Sequence, residues 1–249
     1  MSLVSMKDIH RSFGEVHALR GVDFEVGDNE VIGLIGDNGA GKSTLIKILS
    51  GVFPYSSGQM YVKGKKISPQ HYSVRKAHRM GIETVYQEQA LGLKQALWRN
   101  LFLGRQPTNR FGFIRMGEVR NETQKVMKEF LGFTGGGVSP DSMVGTLSGG
   151  ERQGVAIGRA MYFEADLVIL DEPTIALSVN EVNKVLRFIS QVKEGGKSCV
   201  YISHTISNIY SVSDRFVLLD RGKVVGMYNR GDVTESELAD IMVHHSRRS

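Results

Sequence analysis

The chain has 249 residues, 41% of them hydrophobic and 23% charged, with a formal net charge of +5. This is the composition of a soluble globular protein with a sizeable core, either one large α/β domain with a subdomain or two small domains. The single cysteine, Cys199, excludes an intrachain disulfide and points to a reducing compartment. No apolar run approaches the roughly 20 residues that span a bilayer, and no signal-peptide pattern opens the chain.

Met1-Ser2-Leu3 read as partly vector-derived, and no element is assigned to them. An apolar stretch over 16–26 ends at Gly27-Asp28-Asn29, and a buried strand is predicted over 31–35. A glycine-rich loop follows, then a helical pattern over 44–49 that stops at Gly51, a C-cap. Residues 59–62 and 65–67 read as a hairpin around Gly64. A basic helix near 74–80 leads into a strand over 82–86. From about 88 to 163 the pattern turns helical, with Val119, Val126, Met127, Phe130 and Leu131 on one face. It is broken by Gly135-Gly136-Gly137 and by Ser139-Pro140-Asp141. Strands return over 167–170 and 198–202, the second placing Cys199 in the core. A hairpin then joins 216–219 to 223–228 across Arg221-Gly222. The tail from about His244 is polar and reads as frayed. An α/β core interrupted by a helical insertion accounts for this order.

Two motifs carry chemistry. Gly36-Asp37-Asn38-Gly39-Ala40-Gly41-Lys42-Ser43-Thr44 fits the phosphate-binding pattern G-x-x-x-x-G-K-[ST] and stands between a strand and a helix. Glycines let the backbone wrap a polyphosphate with its N–H groups inward, and the helix N-terminus adds a favourable dipole. Lys42 is placed to reach β- and γ-phosphates and the Ser43 hydroxyl to ligate Mg²⁺. In the second motif, four apolar residues end in Asp171-Glu172. A buried strand would deliver both carboxylates at the C-terminal edge of a parallel sheet, where open α/β sheets bind ligands. There Asp171 can hold Mg²⁺ through water and Glu172 can polarise an attacking water; a strand ending in a helix-capping acid is the other reading.

Between these motifs stands Leu147-Ser148-Gly149-Gly150-Glu151-Arg152-Gln153. With an L-S-G-G signature in that position the chain resembles, over nearly its whole length, the ATP-binding subunit of an ABC transporter. The resemblance implies an α/β fold: a P-loop NTPase core with a mixed sheet and flanking helices, an antiparallel β region, and a helical subdomain carrying the signature. It places the core in 1–87 and 164–249 and the helical subdomain in 88–163. It further implies ATP and Mg²⁺ as cofactors, and a head-to-tail dimer of two cassettes, most simply a homodimer. In it Ser148 and Gly149 of one copy contact the γ-phosphate of ATP held by the loop of the other, and Gly150 belongs to the same nucleotide-binding segment. Gly149-Gly150 open a helix through Phe163, so that free N–H groups and the helix dipole can face an anion.

Other positions match the family one by one. Phe13 stands where an aromatic ring stacks on adenine, although a core phenylalanine is the alternative. Gln87 stands where a glutamine touches Mg²⁺ and the transporter, and His204 where a histidine contacts the γ-phosphate. One position departs: Ile175-Ala176-Leu177-Ser178 replaces a turn that usually ends in Asp, and Ser178 is expected to cap the following helix instead. Residues 161–166 and 214–232 look most like the ribose, xylose and fructose type of bacterial sugar importer. That likeness implies a peripheral protein on the cytoplasmic face of the plasma membrane, docked on a permease served by a periplasmic sugar-binding protein. Residues 87–104 are the expected docking surface, with Leu97, Trp98 and Leu101, Phe102 and Leu103 either exposed to the permease or buried within the insertion. A transport ATPase for branched-chain amino acids or lipids is one rival. A soluble ATPase acting on nucleic acid or the ribosome is the other. It usually needs two cassettes or a long coiled-coil arm, and no nucleic-acid partner is expected.

Overall fold

The apolar runs of the sequence pair with partners far along the chain. The computed structural model describes residues 2–86, 91–129, 137–174 and 177–246. Its larger sheet contains β3 (Val31–Ile35), β6 (Ile82–Val85), β7 (Leu167–Asp171), β8 (Ser198–Ile202), β9 (Arg215–Asp220) and β10 (Lys223–Asn229). Their order is β10-β9-β3-β8-β7-β6, with only β10 antiparallel to its neighbour. β7 pairs in register with β8, Leu167 opposite Ser198 and Asp171 opposite Ile202. The smaller sheet is antiparallel: β2 (Val16–Gly27), β1 (Ser2–Phe13), β4 (Ser57–Val62) and β5 (Lys65–Ile67), in that order.

The parallel strands are buried on both faces, so their period of two divides the core into two layers. Ile32, Leu34, Ile169, Val200, Ile202, Val217 and Leu219 point toward the smaller sheet. There they enclose α1 (Lys42–Leu49) through Leu45, Ile46, Ile48 and Leu49. Val31, Ile35, Val168, Leu170, Cys199, Tyr201, Phe216 and Leu218 point the other way. They pack on α5 (Gly149–Tyr162), α6 (Val179–Glu194), α7 (Ile206–Val212) and α8 (Glu235–Ser246). Each such side chain contributes roughly 1.5–3 kcal/mol on burial. Cys199 is fully buried, and burial pushes its thiol pKa far up, so the residue is core.

Between β6 and α5 the chain forms α3 (Leu97–Leu101) and α4 (Met116–Glu129). Val119 and Val126 of α4 pack with Trp98, Leu101 and Phe102, while Met127 joins Leu97, Leu147 and Val155. Among the described residues, no helix is long and apolar enough to cross a membrane.

The structure decides four points that the sequence left open or read differently. Ser2 and Leu3 belong to β1, with Leu3 buried against the core. α8 carries helix through Ser246, past the expected frayed start at His244. Of the apolar residues read as either exposed to a permease or buried within the insertion, Leu97, Trp98, Leu101 and Phe102 are buried by α4 and α5, while Leu103, at 56%, is exposed. At the end of α1 the cap is Ser50, and Gly51 follows it in the left-handed region, φ +76°. Phe130, Leu131, Gly135 and Gly136 lie outside the described residues.

Candidate active site

The loop after β3 is shaped by two glycines. Gly36 has φ +149°, and a Cβ there would stand 2.1 Å from the Leu219 carbonyl oxygen; Gly41 has φ +107°, with a Cβ 2.8 Å from that of Ala18. Any larger residue would push the loop off β2 and β9. The Ala40 N–H donates to Asp37 O at 3.1 Å, closing a turn, and the Ala40 carbonyl accepts from Gly222 N–H at 2.8 Å, tying the loop to the β9–β10 hairpin. Asp37, Asn38 and Gly39 remain exposed, as does Ser43, while Ala40 is buried and Thr44 half-buried. Gly41 is the N-cap of α1, which has no side-chain cap and no acid in its first turn. Such an N-terminus suits an anion.

Lys42 is buried, and its Nζ donates to Gly36 O at 2.6 Å and Asp37 O at 2.9 Å. Burial lowers its pKa, opposed by the charges of Glu172, Asp171 and Asp37. The register of β7 on β8 therefore brings the second motif up to the first. Asp171 is 6% exposed. Burial and the neighbouring Glu172 raise its pKa, against Lys42, Lys47 and His204. Glu172 follows with φ +52°, its N–H donating to Ile202 O at 3.0 Å. That left-handed turn carries its carboxylate to His204, beyond β8, where His204 Nε2 stands 2.8 Å from Glu172 Oε1.

Among the described residues no group of three or more His, Cys, Asp or Glu could hold a metal ion. The donors present still suit Mg²⁺, which commonly takes one or two carboxylates and completes its shell with water and phosphate oxygens. Asp171 and Glu172 are adjacent acids, the first buried, whose mutual repulsion a divalent cation would relieve, and Ser43 is exposed on α1. Gln87 lies outside the described residues.

Phe13 ends β1 and is 40% exposed. Its ring meets Phe53 edge-on at 5.2 Å, with the Arg11 guanidinium 4.6 Å over it. Lys47 of α1 lies 5.8 Å from the Phe53 ring, which sets this aromatic pair beside the loop's helix.

Ser148, Gly149 and Gly150 cluster elsewhere, at the start of α5. Ser148 is its N-cap: Ser148 Oγ accepts from Glu151 N–H at 3.2 Å, and Ser148 N–H donates to Glu151 Oε2 at 2.7 Å. Gly150, at the helix start expected to face an anion, has the Glu181 side chain packed over it. Ser178 caps α6 as expected, with Glu181 completing a second capping box. Glu181 was missed in the sequence. Its signal was the S-x-x-E spacing of Ser178 and Glu181, the pattern of a capping box.

The family model described as "ABC transporter" matches residues 19–175. The chain is 40% identical over 242 residues to a xylose/arabinose import ATP-binding protein of Sulfolobus acidocaldarius, covering 96% of this chain and 93% of the relative. It is 35% identical over 241 residues to a ribose import ATP-binding protein of Caldanaerobacter subterraneus subsp. tengcongensis, covering 97% of this chain but 47% of the relative. The chain thus spans about half the length of that ribose relative. Its fold is similar to that of a dimeric ATP-binding cassette in a post-hydrolysis state bound to ADP and Pi. The TM-score is 0.77 at 22% identity, covering 91% of this chain and 98% of the other.

Proposed function

Because this chain belongs to the ABC transporter family, we propose that it is an ATP-binding and ATP-hydrolysing subunit that powers import of a monosaccharide. The carrying observation is the convergence of Lys42, Asp171, Glu172 and His204 at the C-terminal edge of the parallel sheet, beside the loop at residues 36–41.

The polyphosphate of ATP binds against the loop from Gly36 to Gly41 and the first turn of α1, including Ser43 and Thr44. Backbone N–H groups of such a loop and helix start suit an anionic polyphosphate. Lys42 neutralises charge on the β- and γ-phosphates, and Phe13 stacks on adenine. Mg²⁺, held by Ser43, Asp171 and Gln87, would supply charge neutralisation at the phosphates when bound. Glu172 is the general base. It takes a proton from the water that attacks the γ-phosphorus, as the bond to the bridging oxygen of ADP breaks. His204, 2.8 Å from Glu172, holds that carboxylate in place and contacts the γ-phosphate. A second copy, facing head to tail, adds its Ser148, Gly149 and Gly150. That the similar cassette is dimeric supports a pair of copies.

Residues 1–87 and 164–249 form the nucleotide-binding core and 88–163 the helical subdomain. The subunit works on the cytoplasmic face of a membrane, docked on a permease through residues 87–104, where Leu93 and Leu103 present apolar surface. A periplasmic sugar-binding protein delivers the cargo. The xylose, arabinose and ribose in the names of the relatives point to a pentose. The test is ATPase activity with and without sugar. The isolated subunit should ignore every monosaccharide, since a ligand changes a rate only by binding some state differently. Assembled with its permease and binding protein in a membrane, it should be stimulated by a pentose. Stimulation of the isolated subunit, or of the assembly by amino acids alone, would overturn the assignment.

A further inference from the structure

Two helix N-termini meet at one carboxylate. In a capping box the acid at the third helical position returns to its own N-cap N–H. Glu151 does so at the start of α5. Glu181 does so at the start of α6, where its Oε2 accepts from Ser178 N–H and from Ser178 Oγ–H, each at 2.8 Å. Glu181 also reaches across to α5, where its carboxylate lies over Gly150 in the first turn. Its carboxylate lies so close over Gly150 that a Cβ there would stand 1.9 Å from Oε1 and 2.5 Å from Cδ. Gly150 is thus small because Glu181 occupies the space its side chain would take. The hydrogen bonds from Ser178 hold the Glu181 carboxyl below the usual carboxylate range. The two helices flank a groove of about 600 Å³, lined among others by Ile157, Met161, Val185 and Phe188. Direct packing therefore does not by itself hold their N-terminal ends together.

We propose that Glu181 is a positioning residue that fastens the start of α6 to the start of α5, so that Ser148, Gly149 and Gly150 move as one body with the Ser178 turn. The proposal rests on the reading that these three residues address a nucleotide held by a second copy of the chain. Ser178 follows Glu172 by six residues. The fastening therefore links the general base of one site to the segment offered to the other. An N-terminus held ahead of binding loses less freedom when the dimer closes.

Three substitutions in the full chain separate reach from charge. Glu181→Gln keeps the length and an acceptor oxygen. Glu181→Asp keeps the charge in the first turn of α6 but is one methylene too short for Gly150. Glu181→Ala removes both. Hydrogen exchange at residues 149–152, measured without nucleotide, should be close to parental in Glu181→Gln and faster in Glu181→Asp and Glu181→Ala. In steady-state hydrolysis the Asp and Ala variants should raise KM for ATP on the order of tenfold. Their ATP affinity at protein concentrations too low for self-association should be unchanged, and Glu181→Gln should stay within about twofold of the parent on both measures. Parental exchange and KM in Glu181→Asp, or unchanged behaviour in all three variants, would overturn the fastening. Exchange that responds as expected in a chain without ATP hydrolysis would keep the fastening and discard the proposed function.

Discussion

Acid should destabilise this protein through His78. The residue lies on α2 (Val74–Arg79), with Nε2 3.7 Å from Glu83 Oε2 in β6. Glu83 is 2% exposed and paired with Arg105 at 2.6 Å, so it is already engaged. Burial, together with the nearby guanidiniums of Arg105 and Arg159, lowers the His78 pKa to about 4. An unfolded histidine titrates near ~6.5. Between those values the unfolded chain binds a proton that the native chain refuses, so stability falls as pH drops through this window and is unaffected above it. From pH 7.5 to pH 5.0 the loss is at most about 2 kcal/mol. It is smaller to the extent that the 24% of the side chain still exposed screens the effect. For a chain of this length that is roughly 4–8 °C in melting temperature. His78→Gln removes the titrating group while keeping a polar side chain of similar size. Thermal denaturation of parent and variant at pH 7.5 and pH 5.0 measures the difference, and the variant should lose fewer degrees on acidification. Equal losses in the two proteins would refute the reasoning.

Lys42→Ala removes an ammonium set beside Asp37, Asp171 and Glu172. ATP affinity, measured by titration calorimetry, should fall on the order of a hundredfold. Glu172→Gln keeps the shape of the proposed base but cannot take the water's proton. Turnover should drop by roughly two to four orders of magnitude while binding survives, and size-exclusion chromatography with Mg-ATP should show a persistent dimer. Arg105→Ala strands the buried Glu83 carboxylate and should cost about 3–5 kcal/mol in urea denaturation; the double change Glu83→Leu with Arg105→Met should recover most of that loss. Phe13→Ala should weaken ATP and ADP binding alike, because the stacked ring meets the base and not the phosphates; an equal loss of tripolyphosphate binding would place Phe13 in the core instead.

The local patterns were readable because their physics is local. A strand, a glycine-rich turn and a helix start lie within one short run, from Val31 to Leu49, and the loop's conformation depends on glycines inside it. β7 and β8 were legible as uninterrupted apolar runs, the mark of strands buried on both faces. The hairpin from β9 to β10 was announced by its turn. β1 was not legible. It carries Lys7, Asp8, His10 and Arg11 among its apolar residues, and it is made a strand by partners 16–27 and 57–62 that no short window contains. The burial of Trp98 and Phe102 was equally hidden, since an apolar cluster reads the same whether α4 covers it or a partner does.

By itself, the sequence determined where the candidate site residues and the helix caps stand: Lys42 after its glycine loop, the Asp171-Glu172 pair, and the capping serines at 148 and 178. Each of these is written in side-chain type and spacing within a few positions. Only the tertiary structure decided which of them meet. The register of β7 on β8 sets Glu172 against His204, 32 residues on, and the approach of α6 to α5 puts Glu181 over Gly150. Those distances follow from how buried surfaces stack, a property of the whole core, so no stretch of the chain contains them on its own.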